Sequence, residues 1–199
     1  DVAIIGGGFS GLWTAYHLLQ RNKNLSISIF EAQRCGFGAS GRNGGWASSD
    51  YPVYWSTLKK RYGADRATQL FDALVKSIDE IGEVARTQAP QAHFVKSGTV
   101  MFARNIAQEK RLKANVDSSH HWLSASELKK LINVQSAQGG LFNPHCATVN
   151  PMGLVDGLVR TLQKSGVSIF EGTYATRVDG GILANSTFVR APIVIQATE

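Results

Sequence analysis

The sequence predicts an α/β fold: a parallel sheet entered through a βαβ unit, interrupted by an inserted α+β portion, and completed by strands that return late in the chain. Three observations predict it. A short apolar run, Asp1 to Ile5, leads straight into the turn Gly6-Gly7-Gly8-Phe9-Ser10-Gly11. Leu12, Ala15, Tyr16 and Leu19 then recur at i, i+3, i+4 and i+7, the spacing of one helix face. A second strand-like run, Leu25 to Glu31, follows at a distance that suits a right-handed βαβ crossover. Ser26 and Ser28 interrupt its apolar character, so one face is expected to meet a close-packed helix.

A glycine-rich loop follows from Cys35 to Trp46, and then Ala64 to Gln88 reads as one long amphipathic helix. Ala67, Leu70, Phe71, Leu74, Ile78, Ile81 and Ala85 form its apolar face. Phe94 to Arg104 has the character of strand and hairpin, and Ile106 to Ser118 that of a polar helix. Ser124 and Glu127 carry a capping-box signature ahead of a short helix, and Gly139 to Phe142 suits a strand. Asn150 and Pro151 open another helix as N-cap and first helical residue. Leu154, Val155, Leu158 and Leu162 are its buried stripe, and Gly166 is its stop. Val167 to Phe170, Tyr174 to Val178, Phe188 to Arg190 and Ile193 to Ala197 are the returning strands.

The 199 residues suffice for a real core, and 43% hydrophobic with 18% charged residues is the composition of an ordinary globular protein. No apolar run is long enough to span a bilayer. The chain starts without Met directly on a strand and stops just after another, so an N-terminal fragment is expected. Cys35 and Cys146 lie far apart and outside metal-ligand spacing, which suggests free thiols in a reducing cytoplasm. The net charge of +6 comes with only short, scattered basic runs, so a nucleic-acid partner is not expected. His17, His93, His120 and His121 have no ligand-spaced partners, and no metal site follows. His145 beside Cys146 is not expected to form a catalytic pair, because adjacency in sequence is not geometry.

Gly6, Gly8 and Gly11 fit G-x-G-x-x-G, and each glycine answers a physical need. The first allows a sharp exit from the strand, the second close approach of backbone to a pyrophosphate, and the third close helix–strand packing. The helix start offers unpaired N–H groups and a positive dipole end to phosphates. Glu31 stands about 20 residues after the last of these glycines, where a carboxylate accepts hydrogen bonds from a ribose diol. Together these describe a Rossmann-like dinucleotide site. They do not choose between FAD and NAD. The stretch Gly36-Phe37-Gly38-Ala39-Ser40-Gly41-Arg42-Asn43-Gly44-Gly45 favours FAD, since a second run of small residues suits backbone lying against an extended ligand.

The run from Asp1 to Gly45, with Glu31-Ala32-Gln33-Arg34 and Gly38-Ala39-Ser40-Gly41-Arg42-Asn43-Gly44-Gly45, resembles the D-amino-acid oxidase superfamily. That superfamily includes glycine and sarcosine oxidases, D-amino-acid dehydrogenases and γ-glutamylputrescine oxidoreductase-like proteins. The resemblance resumes at Asn150-Pro151 and Glu171-Gly172-Thr173, ends at Ala197-Thr198, and is weak across Tyr51 to Leu141. It implies an FAD-binding domain in two parts, residues 1–90 and 143–199, with 91–142 a portion of a substrate domain. Gly6, Gly8, Phe9, Ser10 and Gly11 would hold the pyrophosphate, Glu31 the adenosine ribose, and Ala32 and Arg34 would border the adenine end. Gly38, Ala39 and Ser40 would help hold the phosphates, while Arg42, Asn43, Gly44 and Gly45 would run beneath the ribityl and flavin. Ala175 stands where the family has a Val whose backbone pairs with adenine, and Ala197 and Thr198 would close the site. Arg42 replaces the histidine through which some relatives attach flavin covalently.

The implied activity is FAD-dependent oxidation of an amine or amino acid, with O2 or another electron acceptor. Catalytic residues are not assigned within this chain. Trp46 suits either a flavin pocket or an ordinary core position. Three other readings remain: an RNA-modifying flavoprotein oxidase domain of the same fold, an NAD-dependent dehydrogenase, and a cofactor-binding module without turnover. Net charge alone supports the first, and the second leaves the Gly36–Gly45 loop unexplained.

Overall fold

The computed structural model describes residues 1–117 and 119–198. In chain order the elements are β1 (Val2–Ile5), α1 (Phe9–Arg21), β2 (Ile27–Phe30), β3 (Trp46–Ser48), α2 (Trp55–Tyr62), α3 (Ala64–Gln88), β4 (Thr99–Ala103), α4 (Ile106–Lys113), β5 (His121–Ser124), α5 (Ala125–Leu131), β6 (Gly139–Asn143), β7 (Cys146–Thr148), α6 (Pro151–Lys164), β8 (Ser168–Phe170), β9 (Ala175–Val178), β10 (Gly181–Ala184), β11 (Thr187–Arg190) and β12 (Ile193–Gln196). Ser118, the expected end of the polar helix, and Glu199, the end of the returning part, lie outside the described residues. By packing, the chain forms two compact units. One comprises Asp1–Gly45, Val84–Phe94 and Val149–Glu199, and the other Trp46–Glu83 and Val95–Thr148.

The first unit is built on a parallel sheet in the order β12-β1-β2-β8. Strand β1, Val-Ala-Ile-Ile, is buried throughout, which accounts for its unbroken apolar run. Ala3 and Ile5 face Ala175, Ile182, Ala184 and Ala191 of the antiparallel meander β9–β11 and the turn after it, with Phe30 joining them. Val2, Ile4, Leu12, Ala15 and Leu19 are also buried, as are Leu154, Val155, Leu158 and Leu162 on α6, which packs against α1. Asn150 caps α6 by accepting from Gly153 N (3.0 Å), with Pro151 at the first helical position. The helix stops at Gly166 (φ +88), where Gly166 N and Val167 N donate to the Gln163 and Leu162 carbonyls, a Schellman closure.

Helix α6 reaches the segment after α3 through two glycines. A Cβ on Gly153 would stand 2.3 Å from the Gln91 carbonyl oxygen, and one on Gly157 would stand 2.0 Å from Ala89 Cβ.

The second unit pairs β4, β6 and β5 as an antiparallel sheet with α4 and α5 against it, and β3 with β7 as a two-stranded ribbon. The capping box of α5 forms as its sequence predicts: Ser124 Oγ accepts from Glu127 N, and Glu127 Oε2 accepts from Ser124 N. All seven residues of the predicted apolar face of α3 are buried or half-buried. Helix α4 ends at Lys113, earlier than expected. Its continuation, Ala114 to Val116, turns back through Asn115 N to Leu112 O and Val116 N to Lys113 O. Among the described residues, no helix is long and apolar enough to cross a membrane.

Candidate functional site

The exit from β1 is set by two glycines with reasons inside the protein. Gly6 adopts φ +111, and a Cβ there would lie 2.6 Å from the Ala197 carbonyl oxygen. A Cβ on Gly11 would lie 2.1 Å from the Gly6 carbonyl oxygen, so α1 packs onto the strand only with glycine there. Helix α1 then begins with no side-chain cap at Gly8 and no acid in its first turn, which leaves a positive helix end facing outward. Phe9 N donates to Ser40 Oγ (2.9 Å), which brings the second glycine loop onto this helix start. Ser10 is exposed. Ala197 and Thr198 flank Gly6, as Ala197 N donates to Ile5 O (2.8 Å).

Glu31 is positioned at the end of β2 by its own carboxylate. Oε2 accepts from Gly7 N (2.8 Å) and Oε1 from Gln33 N (2.9 Å), and each oxygen retains a lone pair for a further donor. Ala32, Gln33 and Arg34 are exposed beside it. Cys35 is buried beneath Gly7, where burial first and the nearby Glu171 second push its thiol up to about 12.

The second loop behaves differently from the first. Gly38 and Gly44 have no left-handed φ, and a Cβ on either meets nothing within 4 Å. No contact among the described residues explains glycine at these two positions. Ala39 and Ser40 enter a short 3-10 turn (Ala39–Gly41), and Asn43 holds it by donating from Nδ2 to the Ala39 and Ser40 carbonyls. Asn43 Oδ1 accepts from Gly45 N (2.9 Å), and Gly45 at φ +67 packs on the Val149 carbonyl. Arg42 stacks its guanidinium over the Phe37 ring at 4.1 Å.

Strand β9 is the edge of its meander. Asn185 N donates to Tyr174 O, so residues 174 and 185 form the hydrogen-bonded pair of the ladder. By the alternation of antiparallel pairs, the next pair, Ala175 and Ala184, is non-bonded. Ala175 N–H and C=O therefore point away from β10, off the free edge, where a planar base edge could pair with them. The structure thus brings Gly6 to Gly11, Glu31, Ser40, Ala197 and Thr198 into direct contact, while Ala175 presents its backbone from a separate strand of the same unit.

The remaining candidates, Trp46, His120, His145 and Cys146, belong to the second unit. Trp46 is 61% exposed, which excludes a core position within this chain. Cys146 Sγ pairs with Ser48 Oγ (3.2 Å), not with His145, and burial raises its thiol; the two cysteines are free and buried. His145 stacks edge-on to Phe71, and burial lowers its imidazole. Sequence spacing leaves His120 without partners, but it lies between two carboxylates of the second unit: Nε2 is 2.9 Å from Asp50 Oδ1 and Nδ1 is 3.0 Å from Asp117 Oδ1. Asp117, three residues before, is legible as a neighbour on the turn, whereas Asp50 comes from a distant segment that no spacing rule reaches. The hydrogen bond to Asp50, then that to Asp117, outweighs burial and raises the imidazole above its ordinary value.

Comparison with known proteins adds to this geometry. The profile of the family DAO, FAD dependent oxidoreductase, matches residues 1–199. The chain is 31% identical over 179 residues to a probable oxidoreductase OrdL of Haemophilus influenzae, covering 86% of this chain and 41% of that protein. It is 26% identical over 191 residues to gamma-glutamylputrescine oxidoreductase of Escherichia coli K12, covering 89% and 43%. The glycine oxidase structure from Bacillus cereus shares the fold at a TM-score of 0.75 and 19% identity, over 98% of this chain and 55% of that one. The chain thus spans about half the length of such relatives.

FAD, the cofactor of that family, fits what is present. A helix start with no acid in its first turn suits the pyrophosphate, a carboxylate with spare lone pairs suits the ribose, and two glycines open to the outside leave room for backbone contact with an extended ligand.

Proposed function

This chain belongs to the FAD dependent oxidoreductase family, and on that premise we propose that the protein oxidises the C–N bond of an amine or amino acid. The observation that carries the cofactor part of the reading is the pair of open glycines, Gly38 and Gly44, lying in the loop that Ser40 ties to the start of α1. Amine chemistry draws its support from gamma-glutamylputrescine oxidoreductase and glycine oxidase among the similar proteins. When bound, FAD supplies the acceptor for a hydride from the carbon bearing nitrogen. Loss of that hydride and of the nitrogen's proton leaves an imine, which water hydrolyses to a carbonyl and a free amine or ammonia.

This chain's own residues bind and orient. Gly6, Gly8, Phe9, Ser10 and Gly11, with Gly38, Ala39 and Ser40, hold the pyrophosphate; Glu31 accepts from the adenosine ribose; Ala32 and Arg34 border the adenine end. Ala175 offers its backbone to the base, Arg42 to Gly45 underlie the ribityl and flavin, and Ala197 and Thr198 close the site behind Gly6. Residues 1–90 and 143–199 act as the cofactor-binding portion and 91–142 as part of the substrate domain. The substrate is a small amine or amino acid, the final acceptor O2 or another oxidant, and the compartment a reducing cytoplasm that suits two unpaired thiols.

The test is spectroscopic. A full-length protein that contains these residues is expected to purify yellow, and its flavin absorbance to bleach anaerobically with one member of a panel of sarcosine, D-amino acids and γ-glutamylated polyamines. A colourless protein that binds NAD in calorimetry overturns the cofactor reading; a yellow one bleached only by non-amine alcohols or acids overturns the substrate reading.

A further inference from the structure

The loop Glu31 to Gly36 carries the ribose-facing carboxylate, yet it is not a regular element. Its shape is held by hydrogen bonds from both sides. Glu31 N donates to Phe170 O, Thr173 N to Glu31 O, Gly172 N to Gln33 O, and Gly36 N to Gly7 O. The Cys35 N–H is satisfied by a side chain 136 residues away, the Glu171 carboxylate, whose Oε1 accepts at 2.7 Å. Cys35 Sγ lies directly under Gly7, so that a Cβ on Gly7 would stand 2.6 Å from it. Gly7 N in turn donates to Glu31 Oε2. Glu171 thus holds the residue that supports the phosphate turn from below, and that turn orients Glu31.

We infer that Glu171 is a positioning residue for the adenosine end of the cofactor site: it fixes Cys35, and through Cys35 the Gly7 backbone and the Glu31 carboxylate, without touching the ligand. This rests on the FAD reading above. A charge-assisted hydrogen bond to the N–H of a buried residue is an interaction whose loss is felt. The backbone hydrogen bonds on either side keep the loop attached when it is lost, so the effect is a loosened site and not an unfolded one.

The chain supplies its own reporters, two buried free thiols. Cys35 reports on the loop, Cys146 on unfolding of the other compact unit, and far-ultraviolet circular dichroism on unfolding of the unit that holds the loop. The experiment measures FAD affinity by fluorescence titration and site-resolved thiol labelling by mass spectrometry, on the wild type, Glu171→Ala and Glu171→Gln. Glu171→Ala is expected to weaken FAD about tenfold and to speed Cys35 labelling about tenfold with Cys146 unchanged. Glu171→Gln keeps a carbonyl oxygen as acceptor and is expected to restore both toward wild type. Equal acceleration at both cysteines, or wild-type affinity and labelling in Glu171→Ala, overturns the inference. A failed rescue by Glu171→Gln, with Glu171→Ala and Glu171→Gln alike, overturns the hydrogen bond as its cause. Failure of the wild type to bind FAD overturns the cofactor reading instead, and the labelling still decides whether Glu171 holds the loop.

Discussion

Gly8 and Ser40 face each other so closely that a methyl group on Gly8 would come within 2.9 Å of the Ser40 hydroxyl. That hydroxyl accepts from Phe9 N, so anything that displaces it also disturbs the start of α1. Gly8→Val places two further carbons in this space and toward the pyrophosphate. It is expected to abolish FAD retention, read as loss of the flavin absorbance ratio, with the far-ultraviolet circular dichroism largely kept. Full flavin occupancy in Gly8→Val would remove the turn from the site.

Glu31→Ala removes two acceptors of backbone N–H groups as well as the proposed ribose partner. FAD affinity is expected to fall by about 1–3 kcal/mol, the usual range for hydrogen bonds to a charged group. Glu31→Gln is expected to fall less, since its carbonyl oxygen still accepts once. Isothermal titration with FAD measures both, and equal affinities for wild type and Glu31→Ala would remove the carboxylate from the ribose.

Gly157→Leu is expected to destabilise the first unit by more than about 3 kcal/mol, since even its Cβ overlaps Ala89 Cβ and overpacking alone costs about 1–3. Gly166→Ala meets no neighbour and loses only the ease of φ +88, so a smaller drop of about 1 kcal/mol is expected. Thermal melts of the two variants test the ordering.

The Asp50–His120–Asp117 cluster gives the second unit a pH signature. The hydrogen bond from His120, helped by Asn143 and Ser48, lowers the Asp50 carboxyl despite its burial. Burial pushes Asp117 up, but hydrogen bonds from Ser119 and His120 outweigh it and leave that carboxyl lowered too. His120, raised, contributes stability that is complete below its ordinary 6.5 and is lost as pH rises through the higher folded value. The two carboxylates contribute stability present above their ordinary 3.8 and lost as pH falls through lower folded values. The cluster is therefore strongest between those limits. His120→Phe is expected to cost about 1–2 kcal/mol near pH 5.5 and less at pH 9, as measured by urea unfolding at the two pH values. A cost that does not change with pH would show that the imidazole is not charged there.

The 199-residue chain by itself is expected to bind flavin without turning over amines. The groups that orient a substrate over the flavin are expected to lie outside these residues, and orientation supplies on the order of 7–11 kcal/mol in favourable cases. Anaerobic single-turnover mixing checks this; flavin reduction by an amine at a rate typical of full-length amine oxidoreductases would place the catalytic groups within these residues.

Where periodicity and capping chemistry agree, the sequence is enough. Helix α3 runs from Ala64 to Gln88 as its pattern predicts, and the Asn150-Pro151 start and Gly166 stop of α6 are in place. Strand β10 (Gly181–Ala184) escapes sequence reasoning because it has only four residues, opens on Gly181 and is framed by Gly180 and Asn185-Ser186, which look like loop on both sides. Asn185 (φ 42) and Ser186 (φ 71) make a tight two-residue hairpin turn, and neither is the glycine that usually announces one. Helix α2 (Trp55–Tyr62) buries only Leu58, so it carries no apolar stripe to recognise. Of the proposed site, the glycine turn and Glu31 draw attention in the sequence because their spacing is local. The bond from Cys35 to Glu171 does not, since a contact across 136 residues leaves no pattern in either segment.

Strand β1 takes β2 as one neighbour almost at once, through a single helix. Its other neighbour, β12, is paired in register from Val2 with Ile193 to Ile5 with Gln196, nearly the whole chain away. At a synthesis rate of about 5–20 residues per second, that side of β1 waits roughly 10–40 s on the ribosome for its partner. During that time an apolar strand, Val-Ala-Ile-Ile, offers an unsatisfied backbone edge to any other chain nearby. Shielding of β1 during synthesis is thus expected to affect the yield of this fold in a cell. Slower translation is expected to lower that yield.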